Sequence, residues 1–308
     1  MENAIYTLGG LRITSDFPLF GLHACGNEAK AHCEVVIRCA PIPEALATVT
    51  AKFHAAEYSE RDNGKEVLLD FPTIGRFLLR AGREILVDLA PSSHEDEVRA
   101  CLLGAVFGAL CHQRGITPLH ASAIDVEDGC IAFVGGSGAG KSTLVATLAR
   151  SGYEVITDDA CFLQMGTNGD VQAWPGISRI RLFEDTVTAL GFDGPGVERQ
   201  IYNKYFIPVP PPRNPTRPRR LRRVYQLYRV QRGAPELIRL HGAEAVEVLM
   251  QNVYPQGLAE RLGHKPHAFI ACTTAARDVP VFRFTRPWDF AALDRGTKML
   301  EDHLAKLY

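Results

Sequence analysis

Residues 119–163, LHASAIDVEDGCIAFVGGSGAGKSTLVATLARSGYEVITDDACFL, carry the pattern around which the chain is organised. Within them Gly135–Ser142 satisfies G-x-x-x-x-G-K-[ST]. It follows a short apolar run, Cys130 to Val134, that reads as a buried strand, and it enters a helical pattern at Lys141. A phosphate-binding loop requires that context. Gly135, Gly136, Gly138 and Gly140 let the backbone turn tightly and bring successive N–H groups toward phosphate oxygens. Ser137, Ala139 and Thr143 complete the cradle, and the following helix adds its positive end. Lys141 supplies a point charge for the β- and γ-phosphates of ATP, and the Ser142 hydroxyl a ligand for the accompanying Mg2+. The plain alternative is a glycine-rich turn with an unused lysine.

The flanks suggest what such a loop serves. Leu144, Val145, Leu148 and Ala149 continue an apolar helix face that ends near Gly152, and Tyr153 to Thr157 then reads as a second strand. That strand delivers Asp158 and Asp159 at its carboxyl end, where ligands of α/β sheets sit. Two adjacent carboxylates there can divide the work, one on a metal and the other accepting the proton of an attacking hydroxyl. A solvated Asp-Asp turn is the alternative. Upstream, His120 lies in another strand-like run, Leu119 to Val126; taken alone it reads more readily as a core or hydrogen-bonded histidine than as a catalyst.

In order and spacing, His120, the Gly135–Ser142 loop and Asp158-Asp159, seventeen residues after the lysine, resemble the catalytic core of the bacterial HPr serine kinase/phosphorylase family. The resemblance implies an α/β fold with a P-loop nucleotide-binding core similar to HPr kinase and phosphoenolpyruvate carboxykinase. It also implies an ATP- and magnesium-dependent protein or peptide serine kinase. Asp158 would be the general base assisted by His120, with Asp159 and Ser142 near magnesium, and the reverse division between the aspartates stays open. The glycine-rich segment with an acidic residue that HPr-specific kinases carry after these aspartates is not found; the region reads WPGISRIRL over 174–182. The succession LHASAI, loop, TDD, PGISRIRLF, LRRVYQLYR, HGAEAVEVL and VPVFRFTRP is similar instead to HPr-kinase-like proteins of ribosomal-peptide biosynthesis. Among these, the lasso-peptide kinases phosphorylate a precursor's C-terminal serine. The implied partner is a peptide or small-protein serine acceptor. An HPr kinase/phosphorylase proper and a non-catalytic nucleotide-gated binding protein are the alternatives. No LSGGQ-like stretch follows the loop, against an ABC-type ATPase.

With 308 residues, 46% hydrophobic and 22% charged, the composition is that of a soluble globular protein of one large or two modest domains. A net charge of −1 gives no bulk field toward nucleic acid or an anionic membrane. The eight cysteines form no C-x-x-C pair and several lie in apolar runs, as expected of free thiols in a reducing compartment. The start Met1-Glu-Asn-Ala lacks signal-peptide features and the apolar run Cys101 to Cys111 is too short to cross a bilayer, so the expected location is cytoplasmic. No internal repeat is found, and a homo-oligomer is left open.

Residues 1–91 read as a β-rich accessory or substrate-recognition domain, with strands at Glu34–Arg38, Glu66–Asp70, Ile74–Arg80 and Glu84–Leu89 and a hairpin turn at Ala81-Gly82. His23, His32 and His54 have no ligand-like spacing. Residues 92–308 form the expected catalytic domain. Its first helix, capped by Ser92 or Ser93, carries Leu102, Leu103, Val106, Phe107 and Leu110 on one face and stops at Gly115. Further on, Arg179 and Arg181 alternate with apolar residues, which puts both guanidinium groups on one side of a strand, to neutralise charge developing in transfer, to grip a substrate carboxylate, or as an ordinary solvated face. No acidic residue occurs between Glu198 and Glu236, and prolines make the middle of that interval an extended basic loop. Its possible roles are contact with an acidic peptide or phosphates, with Lys204 and Arg213 as candidates, or simple solvation; nucleic acid is a weaker option. Leu221–Val230 reads as a strand, Gly242 begins a helix, His264 and His267 flank a loop, Val281–Phe284 is a last strand, and Pro287 opens the terminal helix.

Overall fold

Alternating burial over Leu11–Ser15 and Glu84–Leu89 marks two strands of a first sheet. The computed structural model describes residues 4–19, 21–25, 33–44, 46, 49–53, 56–177, 179–192, 194, 196–199 and 204–307. Nine strands, β1 (Ile5–Leu8), β2 (Leu11–Ser15), β3 (His23–Cys25), β4 (Val35–Cys39), β5 (Val49–Phe53), β6 (Ala56–Arg61), β7 (Glu66–Phe71), β8 (Gly75–Arg80) and β9 (Glu84–Leu89), pair in the order β3-β1-β2-β4-β9-β8-β7-β6-β5. Ala81 and Gly82, with φ of 47° and 65°, make the tight β8–β9 turn. β1, β2, β3, β5 and β6 are additions to the strands read from sequence. His32 and His54 lie outside the described residues.

The next segment is helical: its first turns, Glu95 to Ala100, are exposed or half-buried except at Val98, and from Cys101 to His112 it is buried on nearly every side rather than along one face. α1 (Glu95–Cys101) is capped not by a serine but by His94, whose Nδ1 accepts the Asp96 N–H at 3.3 Å. A five-residue π-helical turn, Leu102–Val106, leads into α2 (Phe107–Gln113), and Gly115 at φ 70° stops it. Leu102, Val106, Phe107 and Leu110 share a core with Ile13, Ile37, Phe77 and Leu79 of the sheet and with Phe162 beyond it, which meets Phe107 edge to face at 5.6 Å. His112 is buried here and its Nε2 donates to the Tyr254 carbonyl at 3.0 Å. Burial pushes its pKa down to about 4. Below about pH 6.5 the unfolded chain therefore takes up a proton that the native state refuses until about pH 4. Stability attributable to this group is full above pH 6.5 and falls by ~3 kcal/mol on acidification through that window. His112→Gln, which keeps a donor for Tyr254, should flatten the pH dependence of the urea midpoint between pH 6.5 and 4 relative to the parent; an unchanged profile would refute this.

The remaining chain forms a mixed sheet around β12 (Gly129–Val134). On one side β12 pairs antiparallel with β11 (Ala121–Val126), and β11 with β13 (Val155–Thr157). On the other it pairs parallel with the long β19 (Arg219–Val230), which pairs parallel with β21 (Val281–Pro287), which is edged by β20 (Glu236–Leu240). An antiparallel ladder of β10 (Thr117–Leu119), β14 (Cys161–Met165) and β15 (Val171–Trp174) joins the start of β19. Alternate β12 residues go to opposite faces. Ile131 and Phe133 pack with α3 (Lys141–Arg150) and the C-terminal helix, while Cys130, Ala132 and Val134 pack with α5 (Gly242–Gln251) and α7 (Lys265–Asp278). The other elements are α4 (Glu184–Leu190), α6 (Leu258–Arg261), the long C-terminal α8 (Phe290–Leu304) and a three-stranded sheet of β16 (Arg179–Phe183), β18 (Lys204–Pro208) and β17 (Glu198–Arg199).

Three sequence expectations change. The 119–126 run is two strands, not one: Leu119 pairs with Cys161 and Ala121 with Val134, so the chain changes partner strands at His120. His264 and His267 do not flank a loop but open α7, with Pro266 in the first turn, where a missing N–H costs nothing. Pro287 ends β21 instead of opening the last helix, which starts at Phe290. Gly129 is a tight point in the sheet: at φ 149°, an added Cβ would stand 2.1 Å from the Arg220 carbonyl oxygen, a backbone atom. Gly129→Ala is expected to lower stability by ~3 kcal/mol or more, read as a lower urea midpoint. All eight cysteines are free thiols. Among the described residues no helix is long and apolar enough to cross a membrane.

Candidate active site

β12 ends at Val134, the loop turns over residues 135–140, and α3 starts at Lys141, so the glycine loop joins a strand to a helix N-terminus. Gly138 and Gly140, at φ 75° and 88°, adopt conformations that side chains rarely take. At Gly140 a Cβ would also stand 2.2 Å from Arg286 Nη2. That guanidinium, buried at the end of β21, donates to the Gly140 and Ala139 carbonyls at 3.2 and 3.4 Å and fixes the loop from behind.

Ser137, Gly138, Gly140, Lys141, Ser142 and Thr143 line a cavity of about 390 Å³ together with His120, Asp158, Asp159, Arg179, Arg181 and Lys204. Gly135, Gly136 and Ala139 are absent from that lining. Gly135 N–H, expected to face phosphate, is taken by Asn252 Oδ1 at 2.9 Å, and Ala139 is buried in the core beneath the loop. Arg213 is also elsewhere. Its side chain is 87% exposed and pairs with Glu154, at the opposite end of β13 from Asp158, because the proline-rich loop runs along the far end of the strand.

The two aspartates differ in surroundings. Asp158 is buried and fully engaged: Oδ1 accepts from the Ser122 hydroxyl and from Ser142 Oγ at 3.0 Å, and Oδ2 accepts the Arg181 N–H at 3.0 Å. Burial and the neighbouring Asp159 charge push its pKa up to about 6, against those three hydrogen bonds. Asp159, at φ 72°, turns its half-exposed carboxylate toward Arg181 Nη1 at 3.1 Å. His120, between β10 and β11, donates from Nδ1 to the Asp159 carbonyl at 3.0 Å, which leaves Nε2 as an acceptor; burial and the Lys141 charge lower its pKa, so the ring is neutral.

The cationic side of the cavity is under-compensated. Lys141 Nζ, buried, donates to the Gly135 and Gly136 carbonyls at 2.7 and 3.3 Å, and burial pushes its pKa down to about 8 despite Asp159 and Asp158. Lys204, over the Phe183 ring at 4.8 Å, is lowered by burial and by Arg181, and Arg179 is lowered by burial and by Arg99. Arg179 Nη1 and Arg181 Nε are buried without a hydrogen-bond partner. Burial disfavours the charges of Lys141, Lys204 and Arg179, and an anion entering the cavity would relieve that cost. Among the described residues no group of three or more His, Cys, Asp or Glu is gathered to enclose a metal. One carboxylate and one hydroxyl, Asp158 and Ser142, suit a magnesium that keeps phosphate and water as its other ligands.

Several site residues had no sequence signal. Ser122, Asn252 and Arg286 act through contacts that exist only after the sheet is assembled, and Tyr254, whose ring lies 5.8 Å from that of His120, reaches the cavity from the turn after α5. Gly104 of the π-helical turn faces Tyr254: an added Cβ would stand 3.1 Å from its hydroxyl.

No family model and no curated protein matches the chain. Among solved structures it is similar to the Hpr(Ser) kinase/phosphatase from Coxiella burnetii, with 13% identity and a TM-score of 0.31, over 62% of this chain and 97% of that one. A likeness of that size carries no functional weight, and what the chain can do has to be read from its cavity.

Proposed function

We propose that the chain is an ATP- and magnesium-dependent serine kinase acting on a peptide or small protein. The observation that carries this reading is the convergence of the glycine loop, Lys141, both aspartates and His120 on one cavity. The triphosphate lies along the amides of the loop and the start of α3, and Lys141 turns from the loop carbonyls to the phosphate oxygens. Asp158 and Ser142 hold Mg2+, which when bound neutralises charge on the phosphates. That assignment takes the reverse division of the aspartates, since Asp158 already pairs with Ser142 whereas Asp159 opens into the cavity. Asp159 accepts the proton of the acceptor hydroxyl, Arg181 holds the carboxylate in place, and His120, donating from Nδ1 to the Asp159 carbonyl, fixes the backbone that carries it. Catalysis is then positioning and charge compensation, with little covalent work for the protein.

The acceptor end of the cavity is walled by Leu103, Gly104, Ile177, Phe206 and Tyr254, with Arg179 and Arg181 beside them. The unpaired guanidinium nitrogens there favour a serine that carries its own carboxylate, the C-terminal residue of a lasso-type precursor peptide. Mass spectrometry after incubation with ATP, Mg2+ and three peptides tests this: one ending in free serine, its C-terminal amide, and one with an internal serine. Phosphate is expected on the first and much less on the others. Equal labelling of all three would discard the carboxylate grip. Nucleotide binding with no transfer to any peptide or protein acceptor would leave only a nucleotide-gated binding protein.

A further inference from the structure

A large aromatic side chain at the mouth of the loop has no role in the kinase reading. Trp288 is 51% exposed, yet it is held firmly. Its backbone N–H donates to the Val230 carbonyl at 3.0 Å, and the Arg229 guanidinium lies over its ring at 4.2 Å from the centroid. The ring edge reaches the loop, since a Cβ on Gly140 would stand 3.2 Å from Trp288 Cζ3. Strand order explains the meeting. β12, β19 and β21 run parallel side by side, and their carboxyl ends deliver the loop, Arg229, and the Arg286–Trp288 segment respectively. Arg286, two residues before the indole, grips the loop carbonyls, so ring and loop are braced against each other. Trp288 and Arg229 line the same cavity as Lys141 and Thr143.

Resting on the nucleotide reading above, we infer that Trp288, backed by Arg229, is the platform for the nucleotide base: the purine ring stacks on the exposed indole while the triphosphate runs back to Lys141. An aromatic face accepts any base, and a larger ring overlaps it more. The platform therefore takes ATP and GTP alike and pyrimidine nucleotides less well.

Calorimetric titration of the full chain with MgATP and with magnesium tripolyphosphate, which lacks a base, separates the two proposals. In the parent both ligands bind, ATP more tightly. Trp288→Leu is expected to weaken ATP about tenfold and leave tripolyphosphate unchanged, and Trp288→Phe to restore most of the loss. If the parent binds both and Trp288→Leu alters neither, or weakens both equally, the platform is wrong and the nucleotide site stands. If the parent binds neither, both proposals fall together.

Discussion

Asp159→Asn is expected to keep nucleotide affinity within a few-fold and to cut phosphoryl transfer by about 10²–10⁴, the usual contribution of a general base. Its backbone is in the left-handed region at φ 72°, where asparagine is tolerated as well as aspartate, so the fold is not disturbed. Asp158→Asn behaves differently. It removes the carboxylate paired with Ser142 and should weaken Mg2+-dependent nucleotide binding as well as transfer. It should also stabilise the nucleotide-free protein. A raised carboxylate pKa means that ionisation costs the native state: nothing below pH 3.8, a growing amount as pH rises through about 6, and the full amount above that. At pH 8 that cost is on the order of 2–3 kcal/mol, and an amide does not incur it. The amide can accept from Arg181 N–H and donate to both serines, so no partner is left unpaired. Melting curves at pH 8 and pH 4 should show the gain at the first and not at the second. If Asp159→Asn transfers phosphate normally while Asp158→Asn binds MgATP but does not transfer, the base is Asp158.

Lys141→Ala carries the second large effect, a loss of roughly 10²–10³-fold in transfer with weakened triphosphate binding, the scale of removing one preorganised charge from a buried site. The lysine also makes binding depend on pH. With burial holding its pKa down to about 8, part of the population is neutral above that pH, and bound phosphate restores the charge. Triphosphate binding is thus linked to proton uptake, and affinity should fall as pH rises through 8. Calorimetry at pH 8.5 in two buffers of different ionisation enthalpy reads the uptake directly, and Lys141→Ala should abolish it. A parent protein that binds with no proton uptake would contradict the assignment.

The loop and its helix were legible because their chemistry is local: four glycines, a lysine and a serine at fixed offsets dictate a turn between a buried strand and a helix whatever surrounds them. The hairpin at Ala81-Gly82 and the strands on either side were legible for the same reason. α7 was not, because the residues that it buries, Ala268, Cys272 and Ala275, are small and give little hydrophobic contrast. Nor was the length of the 119–126 run, since nothing within a strand's own pattern says that it changes partners at His120. Lys204 and Arg213 looked equivalent in one basic stretch, and only β18 carries the first to the cavity while the second is left on Glu154.

The residue order alone thus determined that a glycine-rich turn would join a buried strand to a helix N-terminus and that two carboxylates would follow it at a strand end, since both depend on neighbours within a few positions along the chain. Tertiary structure alone decided that loop, carboxylates and His120 share one cavity, and which carboxylate lies buried against Ser142 and which faces the opening. Those distinctions come from burial and from hydrogen bonds between segments such as Ser122 with Asp158 and Asn252 with Gly135, 36 and 117 residues apart, which no local pattern encodes.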